Sequence, residues 1–155
     1  MALVRILVDG FSLLHAWPAL AAGNPRHSSV AREELINRLI QYHDVSGVPI
    51  TVVFDGARSS RGPEETSSTA SVEILYSRVG QTADQVIERV TGRLSAYGDV
   101  LVVTNDRAEQ ETVSSLGGNN SSCEAFIQTV ETALTDLEKE VRAYNQKERV
   151  RFRTP

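Results

Sequence analysis

Residues 3–9 read Leu-Val-Arg-Ile-Leu-Val-Asp, an apolar and largely β-branched run that ends on an aspartate. Two later stretches repeat this pattern, residues 50–55 (Ile-Thr-Val-Val-Phe-Asp) and residues 100–106 (Val-Leu-Val-Val-Thr-Asn-Asp). Such near-continuous apolar runs are typical of buried parallel strands. The carboxyl ends of parallel strands lie at one edge of a sheet, where α/β proteins bind their ligands. The sequence therefore predicts that the three terminal aspartates face one crevice.

Helical patterns separate the predicted strands. Ser28 or Ser29 can cap one helix, and Thr82 with Gln85 has the form of a capping box that opens another. A further capping-box pattern at residues 121–124 precedes a third, longer amphipathic helix. Strands that alternate with helices indicate a central, mainly parallel sheet with helices on both faces. The expected fold class is therefore α/β, a three-layer α/β/α sandwich.

The length and composition indicate one soluble domain. The chain has 155 residues, of which 41% are hydrophobic and 23% are charged, as in ordinary globular proteins. We expect a single domain over residues 1–144 and a basic tail over 145–155, as a terminal strand or a mobile end. No apolar run approaches the roughly 20 residues that span a bilayer. The first strand leaves no room for a signal peptide, and the lone Cys123 excludes an internal disulfide, so a cytoplasmic protein is expected.

An acidic cluster is the strongest functional signal. Asp84 lies in the first turn of the helix opened by Thr82 and joins Asp9, Asp55 and Asp106 in the predicted crevice. Carboxylate oxygens are the ligands that Mg²⁺ and Mn²⁺ prefer, and such ions lower the pKa of an attacking water and hold a leaving oxygen. Asp9, Asp84 and Asp106 are the predicted metal ligands. Asp55 ranks just below them, as a metal ligand, as an acceptor that hydrogen-bonds a group bound to the metal, or as the residue that orients a basic side chain.

Neutral and basic side chains near these acids are candidates for substrate positioning. Ser12 and Asn105 are oxygen donors beside Asp9 and Asp106 and suit the positioning of a phosphate. The net charge of -4 argues against a broadly basic nucleic-acid surface, yet 14 of the 16 basic side chains are arginines. The arginine fork suits phosphate oxygens, so contacts to a polyanion backbone are predicted. The candidates for these contacts are Arg58, Arg61 and Arg107.

Each aspartate alone also has a purely structural interpretation. Asp84 would stabilise the dipole of its helix, and Asp106 could cap the helix that follows it. Asp9 and Asp55 precede glycines and could form Asx turns. Carboxylates that converge without a cation repel one another and raise their own pKa values, however, which favours a metal site for the set.

Other chemistries lack a signature. The chain contains neither GxGxxG nor GxxxxGK[ST], which argues against a dinucleotide or P-loop site. No CxxC motif exists and the three histidines are scattered, so a zinc site is not predicted. Cys123 and Trp17 are expected in the core rather than as a nucleophile and a base-stacking platform.

Four segments together resemble the YacP-like group of NYN domains, relatives of the PIN nucleases. They are residues 6–18 (ILVDGFSLLHAWP), 52–56 (VVFDG), 82–88 (TADQVIE) and 102–110 (VVTNDRAEQ). The resemblance implies a PIN-like sheet and a metal-dependent endoribonuclease that hydrolyses single-stranded RNA in mRNA decay or RNA processing. The family's acidic site would fall on Asp9, Asp55, Asp84 and Asp106.

Two departures from the family pattern leave alternatives open. The family usually has Asp-Gly-Tyr-Asn after the first strand, where this chain has Asp9-Gly10-Phe11-Ser12, and position 85, commonly glutamate, is Gln85. A catalytically weakened module that binds RNA or the ribosome is one alternative. A small-molecule phosphatase and a toxin-like nuclease that needs an antitoxin are two others.

Overall fold

The computed structural model describes residues 2–56 and 71–153, with side chains as far as residue 151. The predicted phosphate contacts Arg58 and Arg61 lie outside the described residues and stay predictions. The described elements, in chain order, are β1 (Leu3–Asp9), α1 (Gly10–Ala16), a 3₁₀-helix (Pro18–Ala21), α2 (Ser29–Ser46), β2 (Ile50–Phe54), β3 (Val72–Tyr76), α3 (Ala83–Leu94), β4 (Asp99–Val103), α4 (Arg107–Ser115), β5 (Asn119–Ser121) and α5 (Cys123–Arg153).

The described strands form one parallel sheet in the order β3-β2-β1-β4-β5. Strand β1 is central, with Asp9 opposite Val53 of β2 and Val8 opposite Val103 of β4. Because all strands run the same way, the carboxyl ends of β1, β2 and β4 lie side by side. This arrangement brings the three strand-terminal aspartates to one edge.

Side chains of the sheet alternate between two hydrophobic cores, which confirms the predicted α/β/α sandwich. On β1, Ile6 and Val8 point into the larger core, under α1, α2 and α5, whereas Leu7 points into the smaller core, under α3 and α4. Trp17 is buried in the larger core, as expected of a packing residue. The helices are therefore held on both faces, and the carboxyl edge of the sheet stays open between them.

The structure corrects the expectation for the end of the chain. Helix α5 continues to Arg153, so the prediction of a terminal strand is wrong as far as that residue, whereas the prediction of a mobile end stays a prediction. The sequence contains no glycine or proline between Cys123 and Arg153, and the Glu138–Arg142 ion pair (3.2 Å) spans one turn of the helix. The division into a domain at 1–144 and a tail at 145–155 stays a prediction. No described helix is long and apolar enough to cross a membrane.

Three short elements lack a strong pattern in the sequence. The stretch after β1 forms α1 and a 3₁₀-helix, and the polar strand β5 lies at the sheet edge. The capping box predicted at residues 121–124 is wrong: the Ser122 hydroxyl accepts the Ala125 N–H (3.1 Å), and alanine has no polar side chain that could complete a box. Contacts with the sheet hold α1 and β5, and contacts with α1 and α2 hold the 3₁₀-helix.

Candidate functional site

A cavity of about 460 Å³ lies at the carboxyl ends of β1, β2 and β4. All four predicted acidic residues line it, together with the predicted positioning residues Ser12 and Asn105. The complete lining is Asp9, Phe11, Ser12, His15, His27, Asp55, Thr82, Ala83, Asp84, Asn105 and Asp106. The structure thus brings together residues that are up to 97 positions apart in the sequence, from position 9 to position 106.

The carboxylate of Asp9 is fixed by two neighbouring elements. Asp9 caps α1, and its Oδ1 accepts the Ser12 N–H at 3.4 Å. Its Oδ2 accepts a hydrogen bond from the Thr104 hydroxyl at 3.2 Å. Thr104 is fully buried at the end of β4, and its Oγ1 also accepts the N–H of Asp106 at 3.2 Å. One hydroxyl therefore connects two of the predicted metal ligands.

Asp106 and Asp84 are both placed by helix N-termini. Asp106 caps α4, with its Oδ1 accepting the N–H groups of Ala108 (2.9 Å) and Glu109 (3.3 Å). Asp84 lies in the first turn of α3. The structure confirms the predicted capping box of Thr82 and Gln85 at the start of this helix. The structural interpretations of these aspartates are thus correct, and the same residues also line the shared cavity.

Asp55 follows β2 and is held by the end of β3. The Ser77 hydroxyl donates to Asp55 Oδ1 (3.4 Å) and accepts the Gly56 N–H (2.9 Å). A Cβ at position 56 would overlap the Ser77 carbonyl oxygen, so only glycine fits this approach. Gly56 and Ser77 together fix the turn that positions the Asp55 side chain.

The acids interact strongly with one another. The pKa of Asp84 is raised from 3.8 to about 6, first by burial and then by the charges of Asp9, Asp106, Glu88 and Asp55. Carboxylates that share a cavity repel, and repulsion favours the protonated form of the most crowded one. A raised pKa with named charge partners is typical of functional sites.

The sequence analysis did not identify Glu109, a buried acidic residue close to the cavity. Glu109 of α4 is 3% exposed, and its Oε1 has no hydrogen-bond partner among the described residues. Burial, a hydrogen bond with Glu88 and the charges of Asp84, Glu88 and Asp106 raise the pKa of Glu109 to about 8. Glutamate on a short polar helix gives no pattern that distinguishes this position from a solvated one.

The cavity fits a divalent cation in charge and in donor type. Four carboxylates line it, and hard cations such as Mg²⁺ and Mn²⁺ prefer carboxylate oxygens. As placed, however, no three carboxylate, imidazole or thiol side chains of residues 2–56 and 71–153 are grouped as a finished coordination site. Carboxylates that repel one another stay apart until a cation offsets their charge, so this spacing is compatible with a cation site.

The predicted positioning residues have structural partners. The Ser12 hydroxyl accepts the Asn105 N–H (3.1 Å) and lies 3.5 Å from the Cys123 sulfur. The Asn105 side chain accepts the Cys123 N–H (2.7 Å) and donates to Glu124 (2.9 Å), so it ties the end of β4 to the start of α5. Both residues line the cavity, but their polar atoms are already used in holding its wall.

Two other sequence-based expectations can be placed. Arg107 is exposed at the start of α4 and lines a separate shallow depression with Gln110 and Glu111, not the acidic cavity. Cys123 is fully buried, and burial raises the pKa of its thiol to about 11. A thiol that stays protonated at neutral pH agrees with the predicted core role.

Two histidines described as scattered in the sequence meet at the cavity. His15 lies in the last turn of α1, His27 lies just before α2, and both line the cavity. No sequence pattern predicts that His15 and His27 line the same cavity, because the path of the chain between Trp17 and Ser28 decides how these side chains are placed.

Comparisons with known proteins agree with this geometry. The family model described as the YacP-like NYN domain matches residues 6–154. The uncharacterized protein YacP of Bacillus subtilis (strain 168) is 30% identical over 138 residues, which are 88% of this chain and 81% of that protein.

Solved structures show the same likeness. The crystal structure of Rae1 (YacP) from Bacillus subtilis matches with a TM-score of 0.80 and 28% identity, over 97% of this chain and 85% of that one. A point mutant of that protein matches with a TM-score of 0.75 and 28% identity, over 91% and 82% of the two chains. The chain therefore belongs to the YacP-like NYN domain family, and this membership supports a nuclease-like, RNA-related function.

Proposed function

We propose that this protein is a divalent-metal-dependent endoribonuclease that hydrolyses phosphodiester bonds of single-stranded RNA. The observation that carries the proposal is that Asp9, Asp55, Asp84 and Asp106 line one cavity at the carboxyl ends of the central strands. A divalent cation bound among these groups would offset their repulsion, and a phosphodiester is a substrate that such a cation can bind directly. The family membership supports the same reaction class.

Asp9, Asp84 and Asp106 would hold Mg²⁺ or Mn²⁺, with Asp55 in support. When bound, the cation supplies a water of lowered pKa and charge stabilisation at the phosphate. The chain itself orients the ligands: Thr104 holds both Asp9 and the Asp106 backbone, and helix caps hold Asp9 and Asp106. Ser12 and Asn105 keep the wall between β4 and α5 in place.

A second candidate is an RNA-binding module of the same fold with little cleavage. One observation favours it: the Ser12 hydroxyl accepts the Asn105 N–H (3.1 Å) and lies 3.5 Å from the Cys123 sulfur, so it helps to hold the cavity wall. The neutral Gln85 also completes the α3 capping box through its side chain rather than adding a charge to the site. A cytoplasmic location and a ribosomal partner stay predictions.

The test is cleavage of an end-labelled single-stranded RNA in Mn²⁺, Mg²⁺ or EDTA. Wild type would be compared with Asp9→Asn and Asp84→Asn, and with Asp136→Asn on the exposed surface of α5 as a control. We expect internal cuts in Mn²⁺ or Mg²⁺ that disappear in EDTA and in both cavity variants, but persist in the control. RNA binding without cutting in every metal would favour the module instead. Hydrolysis of p-nitrophenyl phosphate that unlabelled RNA does not inhibit would favour a phosphatase.

A further inference from the structure

The cavity has a basic side as well as an acidic one. His15 and His27 line it together with the four aspartates, and both imidazoles are exposed. They come from the two ends of the connection between α1 and α2, which pack on the opposite face of the sheet from α3 and α4. Within the described part of the chain, no arginine or lysine lines this cavity, so these imidazoles are its only described basic side chains.

Arg26 contacts the His15 ring. Its Nη1 is 3.3 Å from Nδ1 and 3.5 Å from Nε2 of that ring, and both side chains are exposed. A guanidinium is always charged, and an imidazole has at least one N–H that can donate. The contact therefore places a permanent positive charge beside a hydrogen-bond donor that lines the cavity.

His27 is held by an aromatic contact. Its ring centroid is 4.9 Å from that of Phe11, with the planes tilted by 49°, and Phe11 in turn packs edge-on against the buried Phe54 at 5.2 Å. This contact anchors an exposed imidazole to the hydrophobic core beneath the cavity. His27 is thus placed by packing, on the same rim as His15.

We propose that His15, Arg26 and His27 form a phosphate-binding wall that holds the RNA backbone beside the acidic centre. The inference rests on the proposed function and adds a substrate subsite to it. An RNA strand presents one phosphate per nucleotide, so a strand that delivers one phosphate to the carboxylates must place a neighbouring one nearby. Carboxylates would repel that neighbour, and the guanidinium and imidazole donors beside the connection between α1 and α2 would bind it.

This wall should act on binding more than on the chemical step. A contact made equally in the ground state and the transition state changes KM and leaves kcat nearly unaffected. Each phosphate contact to a single strand also adds about 0.7 to the slope of log K against log salt concentration. Loss of the Arg26 charge should therefore raise KM and make binding less sensitive to salt.

The experiment is steady-state cleavage of a labelled single-stranded RNA in Mn²⁺, at several salt concentrations, by wild type, Arg26→Ala, Arg26→Lys and His27→Ala. Arg142→Ala is the matched control, because it removes one exposed arginine whose ion pair with Glu138 lies on α5. We expect KM to rise about tenfold in Arg26→Ala with a smaller change in kcat, a several-fold rise in His27→Ala, and partial rescue in Arg26→Lys. The salt slope of Arg26→Ala should fall by about 0.7.

Two results would overturn the assignment in different ways. If wild type cuts RNA and Arg26→Ala behaves like Arg142→Ala in KM and salt slope, the wall does not bind substrate although the nuclease function stands. If wild type cuts no RNA in any metal, the proposed function fails first and the subsite fails with it.

Discussion

The Thr104 hydroxyl donates to the Asp9 carboxylate at 3.2 Å and so joins the ends of β1 and β4. The same oxygen accepts the backbone N–H of Asp106 at 3.2 Å. The geometry of two predicted metal ligands therefore depends on one buried hydroxyl that cannot itself be recognised as functional in the sequence. A side chain of this kind positions the site without contacting a substrate.

Replacement of Thr104 by valine tests this relationship. The substitution keeps the shape of the side chain but leaves the Asp106 N–H and one Asp9 oxygen without this partner, at a cost of about 1–2 kcal/mol in unfolding free energy. Thr104→Ser keeps the hydroxyl and serves as the control. We expect Thr104→Val to weaken Mn²⁺ binding and RNA cleavage, whereas Thr104→Ser retains both. Equal losses in the two variants would show that packing, rather than the hydroxyl, matters here.

Asp84→Asn should stabilise the protein at neutral pH in EDTA. The folded-state pKa of Asp84 is about 6 against 3.8 as the ordinary value, so its ionisation favours the unfolded chain. The free energy of unfolding therefore falls as pH rises from about 4 to about 6, and stays lower above that. Full conversion of the shift gives about 3 kcal/mol, which solvent screening of this half-buried group reduces to about 1 kcal/mol.

The measurement is thermal unfolding of wild type and Asp84→Asn in EDTA from pH 3.5 to pH 8. At pH 7.5 we expect a gain of about 2–4 °C in Tm for the variant. Near pH 3.5 the two curves should nearly coincide, because Asp84 is then protonated in the folded state and mostly protonated in the unfolded chain. A variant less stable than wild type at pH 7.5 would contradict the proposed repulsion.

Glu109→Gln should remove a second pH dependence, at higher pH. The folded-state pKa of Glu109 is about 8 against 4.5, so wild-type stability should fall as pH rises between these values. Glutamine keeps a donor for Glu88 and cannot ionise. We expect the variant to match wild type near pH 4, to be more stable at pH 8, and to show a flatter profile between them. Chemical denaturation in EDTA measures these free energies of unfolding. If the pH profiles of wild type and Glu109→Gln run parallel, Glu109 does not ionise in this range.

Gly56→Ala should disturb the Asp55 turn. The added Cβ meets the Ser77 carbonyl oxygen, which belongs to the backbone and cannot rotate away. We expect a loss of about 1–3 kcal/mol in unfolding free energy and a reduced cleavage rate. Gly92→Ala in α3 is the control, since nothing lies within 4 Å of a Cβ there, and it should be neutral or stabilising. Equal stability of the two variants would argue against the close approach.

The central fold could be predicted because its signals are local and strong. The β-branched runs that end on Asp9, Asp55 and Asp106 identify parallel strands, and Thr82 with Gln85 marks the start of α3. Parallel strands share one carboxyl edge, so the meeting of these acids followed from topology alone.

The remaining features depend on contacts that no local pattern records. Glu109 is buried because α4 packs over the smaller core, and His15 and His27 meet because the 3₁₀-helix turns the chain back toward the cavity. Asn105 was predicted to position substrate, yet the first turn of α5 uses both ends of its amide. Arg107 is adjacent to Asp106 in sequence but lines a different depression.

The most direct test of the central claim is a calorimetric titration of Mn²⁺ into wild type, Asp84→Asn and Asp136→Asn, with melting curves of the same samples. We expect wild type and the Asp136→Asn control to bind equally, and Asp84→Asn to bind at least tenfold more weakly. At 100 times the dissociation constant, bound Mn²⁺ should add about 2.7 kcal/mol to the stability of the fold. No heat of binding and an unchanged wild-type melting curve in millimolar Mn²⁺ would contradict the acidic cavity as a cation site.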